Sequence, residues 1–368
     1  MPRRVTRAIR AHQPKPLPQR EGIDPVALLL PRAGESAEAA AAAQPPRPTE
    51  TFGAHTVQDY LVNRFYPHDH AAIAARFAAR EVKTEDGADV RPDDPLDGQL
   101  IWYYRQLGHE RAVPFDMPVL YEDDWVIAVD KPHFLPTTPN GSFVVNTALA
   151  KLRVREDNPL LIPVHRLDRH TAGVVVFAKT VAARKPFQLL FQNRHIDKTY
   201  EAVAPLVPGL TPGHTLEVAS RLNKRHGTLQ VTQLSPAEAE AAGVQVNALT
   251  GVRLVKRLVV PTGAFPATGP ANPALPMPAA SSEWGHYELS PHTGKTHQLR
   301  AHMHLLGAPL AGDVLYPEVL PHADDEPALP LQLLARSLAF EHPVAGEAIR
   351  IDSRRELALV KAAEDRCG

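Results

Sequence analysis

Apolar residues at strand-like spacing become frequent near residue 117 and predict a sheet-rich domain. Buried strands are predicted at three short apolar runs, residues 126–130, 174–179 and 199–204. A strand pair and two long alternating strands follow, at residues 217–219, 229–232, 251–260 and 284–290. Helical spacing is found at fewer places, residues 144–154, 181–193 and 296–306. Many strands, few helices and no regular β-α-β alternation predict an α+β fold, in which helices and loops flank a mixed, largely antiparallel sheet.

An amphipathic pattern also precedes that domain. Val57, Tyr60, Leu61 and Phe65 are spaced as on one helix face, residues 71–79 predict a second helix, and an acidic segment and an apolar run follow at 85–97 and 100–104. We therefore predict a small α/β module over residues 51–110. The main domain is predicted over residues 115–360, with a Pro/Ala/Gly-rich loop inserted at 261–280. Residues 1–50, a basic arm followed by an Ala- and Pro-rich linker, are predicted to be mostly disordered.

The overall charge does not indicate a partner, because 40 Lys and Arg are balanced by 41 Asp and Glu. Binding to a polyanion therefore needs a local basic face. Residues 151–200 supply one, with ten Lys or Arg against four Asp or Glu, and further cations follow at Arg221, Lys224, Arg225, Arg253, Lys256 and Arg257.

The single cysteine and the lack of long apolar runs bear on where the protein resides. Cys367 has no partner for an internal disulfide, which favours a reducing, cytoplasmic compartment. No apolar run approaches the roughly 20 residues of a membrane span. The basic N-terminus lacks the apolar core of a secretory signal. No membrane partner is expected.

A dense group of polar side chains precedes one of the predicted strands. His165, Arg166, Asp168, Arg169 and His170 crowd a short segment that runs into the apolar residues 172–178. Such a segment presents its polar groups at a fixed edge of the sheet. The residues alone fit both a carboxylate-based site and a surface ion-pair loop.

Five sequence blocks across residues 117–352 resemble the RluA-type family of RNA pseudouridine synthases. HRLDRHTAG, residues 165–173, is similar to the family signature H-R-L-D-x-x-T-S-G, with Ala172 in the place of Ser. Upstream, residues 119–141 resemble the block that ends in Lys-Pro, although His133-Phe134 replaces the usual small residues. Downstream, Lys198-Thr199-Tyr200 resembles a Lys-x-Tyr strand start. Residues 289–317 resemble the T-G-R-T-H-Q-L-R block, with Lys295 for Arg, and residues 333–351 resemble a final block containing His-Pro.

The resemblance implies an isomerase that converts uridine into pseudouridine in rRNA or tRNA. It implies that Asp168 is the catalytic nucleophile, Tyr200 the active-site tyrosine and Arg300 the cation that pairs with the carboxylate. Arg166 is expected to enter the RNA stack when the target base is flipped out. RNA contacts are expected from His165, Arg169, Lys295 and His297. The reaction involves no redox step or external group, so no cofactor or metal is expected, and both the sugar carbon and the base fit as the point of attack.

Several alternatives accompany this interpretation. An RNA-binding or assembly factor of the same fold would lack activity, and a metal-dependent hydrolase would use histidines such as His302 and His304. The module at 51–110 weakly resembles an S4 RNA-binding domain, but it has only Arg76 and Arg80 on its second helix, and a structural extension fits equally well. No protein partner is implied. The absence of an exposed apolar stripe favours a monomer.

Overall fold

The computed structural model describes residues 15–43, 46–65, 70–104, 110, 112–140, 143–225, 227–259, 283–320 and 330–365. The basic arm before residue 15, the insertion predicted at 261–280 and Cys367 lie outside the described residues. Within these ranges, no helix is long and apolar enough to cross a membrane. The chain divides into two compact units, one of Met1–Ala112 with Pro139–Pro159, the other of Val113–Thr138 with Leu160–Gly368.

The first unit contains a three-stranded antiparallel sheet and short helices. Strands β1 (Val26–Leu29), β2 (Val82–Thr84) and β3 (Leu100–Tyr103) pair in the order β1-β3-β2. The helices are α1 (Ala37–Ala42), α2 (Val57–Phe65), α3 (His70–Ala78) and α4 (Ala148–Arg155). The predicted helical spacing is confirmed, because α2 buries Val57, Tyr60 and Leu61 in one apolar core with Ile73 and Ile101.

Residues 20–43 differ from the disorder predicted for them. Val26–Leu29 form β1 in register with β3, where Leu28 lies opposite Ile101, and Leu30 is fully buried. In the Ala-rich stretch, Ser36 caps α1 by accepting the Ala39 N–H. A four-residue apolar run has no periodicity of its own, and its strand partner lies far along the chain. The sequence pattern therefore gave no signal for β1.

The helix predicted at 144–154 belongs to the first unit rather than to the main domain. It begins at Ala148, because the Thr147 side chain accepts the Ala150 N–H as the helix cap. Gly22, at φ +73°, lies so close that an added Cβ would be 2.3 Å from the Ala150 carbonyl oxygen. Arg153 donates to the Gly22 carbonyl at 3.0 Å.

The second unit contains an eleven-stranded sheet, and the predicted mixed, largely antiparallel arrangement is confirmed. Its strands are β4 (Val119–Glu122), β5 (Val126–Lys131), β6 (Ile162–Pro163), β7 (Ala172–Ala178), β8 (Asp197–Pro205), β9 (Thr215–Asn223), β10 (Thr232–Leu234), β11 (Ala248–Val259), β12 (Glu283–Pro291), β13 (Leu333–Glu341) and β14 (Ala348–Asp352). The main path is β10-β9-β11-β12-β8-β13-β7-β5-β4, with β14 on β13 and β6 on β7. The β13–β7 pair is parallel, and the other pairs described are antiparallel.

Helices cover both faces of this sheet. They are α5 (Val181–Gln192), α6 (Pro236–Ala241), α7 (Gln298–Leu305) and α8 (Ala358–Glu364). Leu299 and Met303 of α7 pack on one face, in a core shared with Ala202 and Leu289. Leu359 of α8 belongs to another core, which contains Val203, Leu258 and Leu334 from the sheet. Because Ala202 and Val203 are consecutive strand residues, these two cores lie on opposite faces.

Strand β13 lies between β7 and β8 and brings their ends together. Its residue Ala335 pairs with Tyr200 of β8 on one side and with Gly173 of β7 on the other. Gly173 has φ +112°, and a Cβ there would meet the Ala335 carbonyl oxygen at 2.2 Å. Only glycine permits this close parallel approach. The loop before β7 is thereby placed near the start of β8.

Candidate active site

The loop at residues 164–171, between β6 and β7, carries the candidate carboxylate. The Thr171 N–H donates to the Asp168 carbonyl at 3.1 Å, which closes a tight turn into β7. The Asp168 side chain is 34% exposed, so a ligand can reach it. Ala172, which replaces a serine of the family pattern, is fully buried in the apolar core with Val203 and Leu334, where a hydroxyl would need a partner.

Arg300 of α7 is buried and points one guanidinium nitrogen toward Asp168. Its Nε donates to Oδ2 of Asp313 at 2.8 Å, and Nη2 bonds the other carboxylate oxygen. Nη1 is left 3.9 Å from Oδ2 of Asp168. Burial alone would lower the pKa of Arg300, but the charge and hydrogen bonds of Asp313 raise it above its ordinary value. The arginine is therefore a fixed cation beside the exposed carboxylate.

Asp313 and Tyr316 hold this cation in place, and sequence analysis did not single them out. Asp313 is buried and also accepts the backbone N–H groups of Leu315 and Tyr316, at 2.8 and 3.1 Å. The Tyr316 ring centroid lies 5.5 Å from Cζ of Arg300. Both residues belong to the segment GDVLYP, which was recognised only as part of a matching block. That resemblance could have drawn attention to both residues, but it did not indicate that Asp313 pairs with Arg300.

Tyr200 lies on β8 at the register position next to Ala335 and packs beside the core that contains Leu289. Burial raises the pKa of the Tyr200 hydroxyl, and the negative charge of Asp168 raises it further. The phenol is therefore protonated at neutral pH and lies within electrostatic reach of Asp168.

His297 precedes α7 in a left-handed backbone conformation. Its φ of +54° ends the turn before the helix, so α7 begins at Gln298 rather than at residue 296 as predicted. Its Nε2 lies 3.9 Å from Oδ2 of Asp168, and its Nδ1 lies 3.3 Å from the Tyr316 hydroxyl. Burial lowers the pKa of His297, although the nearby Asp168 charge opposes this. At pH 7 the imidazole ring is therefore uncharged and lines the site beside Asp168.

Three side chains at the start of α7 and along it contact one aromatic ring. His297 and His304 have ring centroids 6.0 Å from that of Tyr316, and Arg300 contacts the same ring. These side chains are therefore packed against the protein.

A buried amide fixes the start of α7 to the sheet. Gln298 Oε1 accepts from the Thr293 hydroxyl at 2.7 Å and from the Lys295 N–H at 3.0 Å. Gln298 Nε2 donates to the Leu249 carbonyl at 3.0 Å and to the Thr250 hydroxyl oxygen at 2.9 Å. The turn that carries Lys295 and His297 is therefore tied to β11.

His302 extends the same buried network. Its two ring nitrogens lie 2.8 Å from the Thr250 hydroxyl and 2.9 Å from the Ser220 hydroxyl. Burial lowers the pKa of His302 to about 4, so the ring is neutral. Among the described residues, no group of three His, Cys, Asp or Glu side chains is placed to hold a metal ion.

Lys131, from the Lys-Pro block, is fully buried and contacts the 164–171 loop. Its ammonium donates to the carbonyls of Pro132, Leu135 and Arg169 at 2.9, 2.8 and 3.4 Å. Burial lowers the pKa of Lys131 to about 7, against the opposing charge of Asp168. Sequence analysis recognised the motif but assigned no task to this lysine.

Lys224 adds a second positive charge near the carboxylate. Its ammonium is held by the carbonyls of Thr228 and Leu229, at 2.6 and 2.5 Å. Desolvation lowers the pKa of Lys224, and the negative charge of Asp168 raises it. The negative charge of Asp168 thus acts on Lys224 and Lys131 as well as on Arg300.

His165 and Arg169 face the protein, unlike the RNA-contacting positions expected for them. The His165 ring stacks on Phe191 at 4.4 Å, and its Nε2 accepts the Val176 N–H at 3.2 Å. Burial lowers the pKa of His165 to about 3, so it is a neutral packing residue. Arg169 donates from Nε to the Phe134 carbonyl at 3.2 Å. Both side chains therefore fix the loop from within.

Arg166 and Lys295 have exposed side chains, as an RNA contact requires. Within the described part of the chain, neither side chain forms a hydrogen bond or an ion pair. Of the candidate residues, the structure thus groups Asp168, Arg300, His297 and Tyr200 at one site. It leaves Arg166 and Lys295 in solvent.

Comparison with known proteins gives consistent matches. Residues 125–305 match the family described as RNA pseudouridylate synthase. A ribosomal large subunit pseudouridine synthase D from Xanthomonas campestris pv. campestris is 32% identical over 282 residues, covering 72% of this chain and 75% of that protein. The protein of the same name from Pseudomonas aeruginosa is 27% identical, covering 80% and 87%. The dual-specificity RNA pseudouridine synthase RluA of Haemophilus influenzae is 27% identical, covering 65% and 94%.

Proposed function

The chain belongs to the RluA-type family of RNA pseudouridine synthases, and from this premise we propose that Asp168, Tyr200 and Arg300 are its catalytic groups. The enzyme is an isomerase. The bond between the sugar carbon and N1 of uracil breaks, and a bond from the same carbon to C5 forms. C5 loses one proton and N1 gains one, so the atoms balance without any added group.

One observation carries the assignment of Asp168. Its exposed carboxylate faces Nη1 of Arg300 at 3.9 Å, while Asp313 holds the rest of that guanidinium from behind. A surface ion-pair loop would place both partners in solvent, but Arg300 is 1% exposed. A buried, oriented cation beside a reachable carboxylate attracts that carboxylate and fixes its direction.

The Asp168 carboxylate is proposed to serve the reaction in either of two ways. It attacks the substrate as a nucleophile, at the sugar carbon or at the base, or it stabilises positive charge that develops on the sugar. Arg300 stays charged in each case and fixes the carboxylate direction.

Tyr200 is proposed to contact the uracil. Its raised pKa keeps the hydroxyl protonated, so the ring offers a neutral stacking surface and a hydrogen-bond donor. We propose that this hydroxyl also assists the net transfer of the proton from C5 to N1. Its register position beside Ala335, next to the 164–171 loop, supports this contact.

Arg166 is proposed to take the place of the target base in the RNA stack. A uridine inside a helix is unreachable, and extruding it costs a few kcal/mol. An exposed arginine two residues before the nucleophile suits insertion into the vacated position. Lys295 is proposed to contact phosphate from the turn before α7.

The proposed substrate is ribosomal RNA, with tRNA as the second candidate. Two of the relatives are named as ribosomal large subunit synthases and one as a dual-specificity synthase, which supports this order. We propose that residues 51–110 are a structural extension, because Arg76 is buried and Arg80 lies 3.8 Å from Asp89. A monomer in the cytoplasm is proposed on the basis of the single cysteine and the lack of an apolar stripe in the sequence.

The decisive experiment maps pseudouridine in total RNA from cells with and without the gene, and from deletion cells carrying variants. Asp168→Asn should abolish every gene-dependent pseudouridine. Asp197→Asn, an exposed aspartate on β8, is the matched control and should restore them all. Unchanged modification with Asp168→Asn would defeat the assignment of Asp168.

A further inference from the structure

The hydroxyl of Thr137 makes two hydrogen bonds to the backbone of Leu167, the residue before Asp168. Oγ1 donates to the Leu167 carbonyl at 2.9 Å and accepts the Leu167 N–H at 3.1 Å. Thr137 is 3% exposed and Leu167 is 8% exposed. Water therefore has little access to either backbone group, and the threonine satisfies both.

This pairing is unusual for a loop. Within a sheet, the N–H and carbonyl of one residue find partners on a neighbouring strand. Leu167 lies in the 164–171 loop, outside the strands. The Thr137 hydroxyl alone makes the two hydrogen bonds that a neighbouring strand would make to its backbone. On the other side of Asp168, the Lys131 ammonium bonds the Arg169 carbonyl at 3.4 Å. The backbone is therefore held immediately before and after the catalytic residue.

The site needs such a fixed backbone. Oδ2 of Asp168 lies 3.9 Å from both Nη1 of Arg300 and Nε2 of His297. These partners are anchored elsewhere, on α7 and through Asp313. A shift of the loop by about 1 Å would change the approach of the carboxylate to them and to the substrate, and such misplacements cost up to about 100-fold in rate.

We propose that Thr137 is a positioning residue for the isomerisation, and that its hydroxyl fixes the backbone at Leu167 and thereby aims the Asp168 carboxylate. This inference rests on the proposed role of Asp168. Thr137 itself touches neither the substrate nor the reacting atoms. Its effect therefore falls on the chemical step and leaves RNA binding intact.

The variants separate the hydroxyl from the shape of the side chain. Thr137→Val keeps the β-branched shape and removes the hydroxyl, whereas Thr137→Ser keeps the hydroxyl and removes a methyl group. Thr137→Cys resembles Ser in size but is a weak hydrogen-bonding group. Thr138→Val is the matched control, because the Thr138 hydroxyl makes no hydrogen bond within the described residues.

The experiment measures kcat and KM for each variant on RNA from cells lacking the gene, with thermal unfolding as a check on the folded fraction. Thr137→Val should lower kcat by about 10- to 100-fold and leave KM within about twofold. Thr137→Ser should stay within about threefold of the unmodified enzyme. Thr138→Val should match it.

Several results would overturn the inference. They are a kcat within twofold for folded Thr137→Val, a change in KM alone, or equal losses for Ser and Val. If Thr137→Val does not fold at the assay temperature, equal kcat values for Ser and Cys overturn it instead. Asp168→Asn runs alongside. If it is active, the proposed function fails, whereas inactive Asp168→Asn beside fully active Thr137→Val defeats the positioning role alone.

Discussion

Replacing Asp313 with asparagine should both destabilise the protein and disable the site. Asparagine has nearly the same shape as aspartate but no charge, so it leaves the Arg300 guanidinium buried without its counterion. The Arg300 side chain is 2% exposed and that of Asp313 is 0% exposed, so solvent screening is minimal. Breaking a buried pair by removing one partner costs about 3–5 kcal/mol.

This loss is large compared with the total stability of a domain, which is about 5–15 kcal/mol. For a domain of this size it corresponds to a fall in Tm of roughly 6–20 °C. Asp313 also accepts two backbone N–H groups, and the asparagine carbonyl oxygen can retain these. The asparagine NH2 group then faces the Arg300 Nε–H and cannot accept its hydrogen bond, so the predicted loss combines the missing charge with one lost hydrogen bond. The kcat should fall by about 100-fold because Nη1 of Arg300 is no longer held toward Asp168.

The assay combines calorimetric Tm with kcat measured well below the lower Tm. Glu288→Gln is the matched control, because Arg253 and Glu288 form a similar two-point pair with side chains 40% and 34% exposed. Exposed pairs contribute about 0–1 kcal/mol, so this control should change Tm by a few degrees at most. A Tm within about 1 °C of the unmodified protein, with full kcat for Asp313→Asn, would refute the reasoning.

Two further predictions concern the buried histidine and the exposed arginine. Above about pH 6.5, His302 is neutral in both the folded and the unfolded protein. As the pH falls from 6.5 toward 4, the unfolded state binds a proton at His302 but the folded state does not. This difference lowers the free energy of unfolding by about 3 kcal/mol in total. His302→Gln should reduce this loss of stability at low pH. The urea midpoints of the variant and the unmodified protein should therefore converge as the pH is lowered from 7 to 4.5. A constant difference between the two midpoints over this range would contradict the prediction. Arg166→Ala should lower kcat/KM on a stem substrate far more than on a single-stranded oligonucleotide of the same sequence. Equal losses on both would assign Arg166 to a phosphate contact instead of base flipping.

Several strands of the main sheet were predicted, because buried strands such as β5 and β7 are continuous apolar runs. Strands β4, β6, β13 and β14 were not predicted. The sequence also brought Asp168 and Arg300 into one site through motif resemblance, and the geometry places them 3.9 Å apart. The predicted positions of the helix ends were less accurate. The start of α7 was wrong by two residues, because the left-handed conformation of His297 leaves no mark in apolar spacing.

The pattern of apolar and polar residues did not predict contacts between side chains that lie far apart in the sequence. Asp313 lies on a loop after α7, and the residues next to it in the sequence do not indicate that its carboxylate accepts a hydrogen bond from Arg300. His165 looks like a surface histidine in a charged run, yet its ring is stacked on Phe191 from a separate helix. Such contacts depend on how elements pack. Local periodicity does not encode that packing.

The place of β13 in the sheet also governs how the enzyme matures during synthesis. The strands that carry Gly173 and Tyr200 are made early, but their common neighbour Ala335 is translated more than a hundred residues later. A nascent chain that ends before residue 333 lacks the strand between β7 and β8, so Asp168 and Tyr200 are not yet positioned relative to each other. The sheet that positions these two residues therefore cannot be completed until residues 333–341 have been translated.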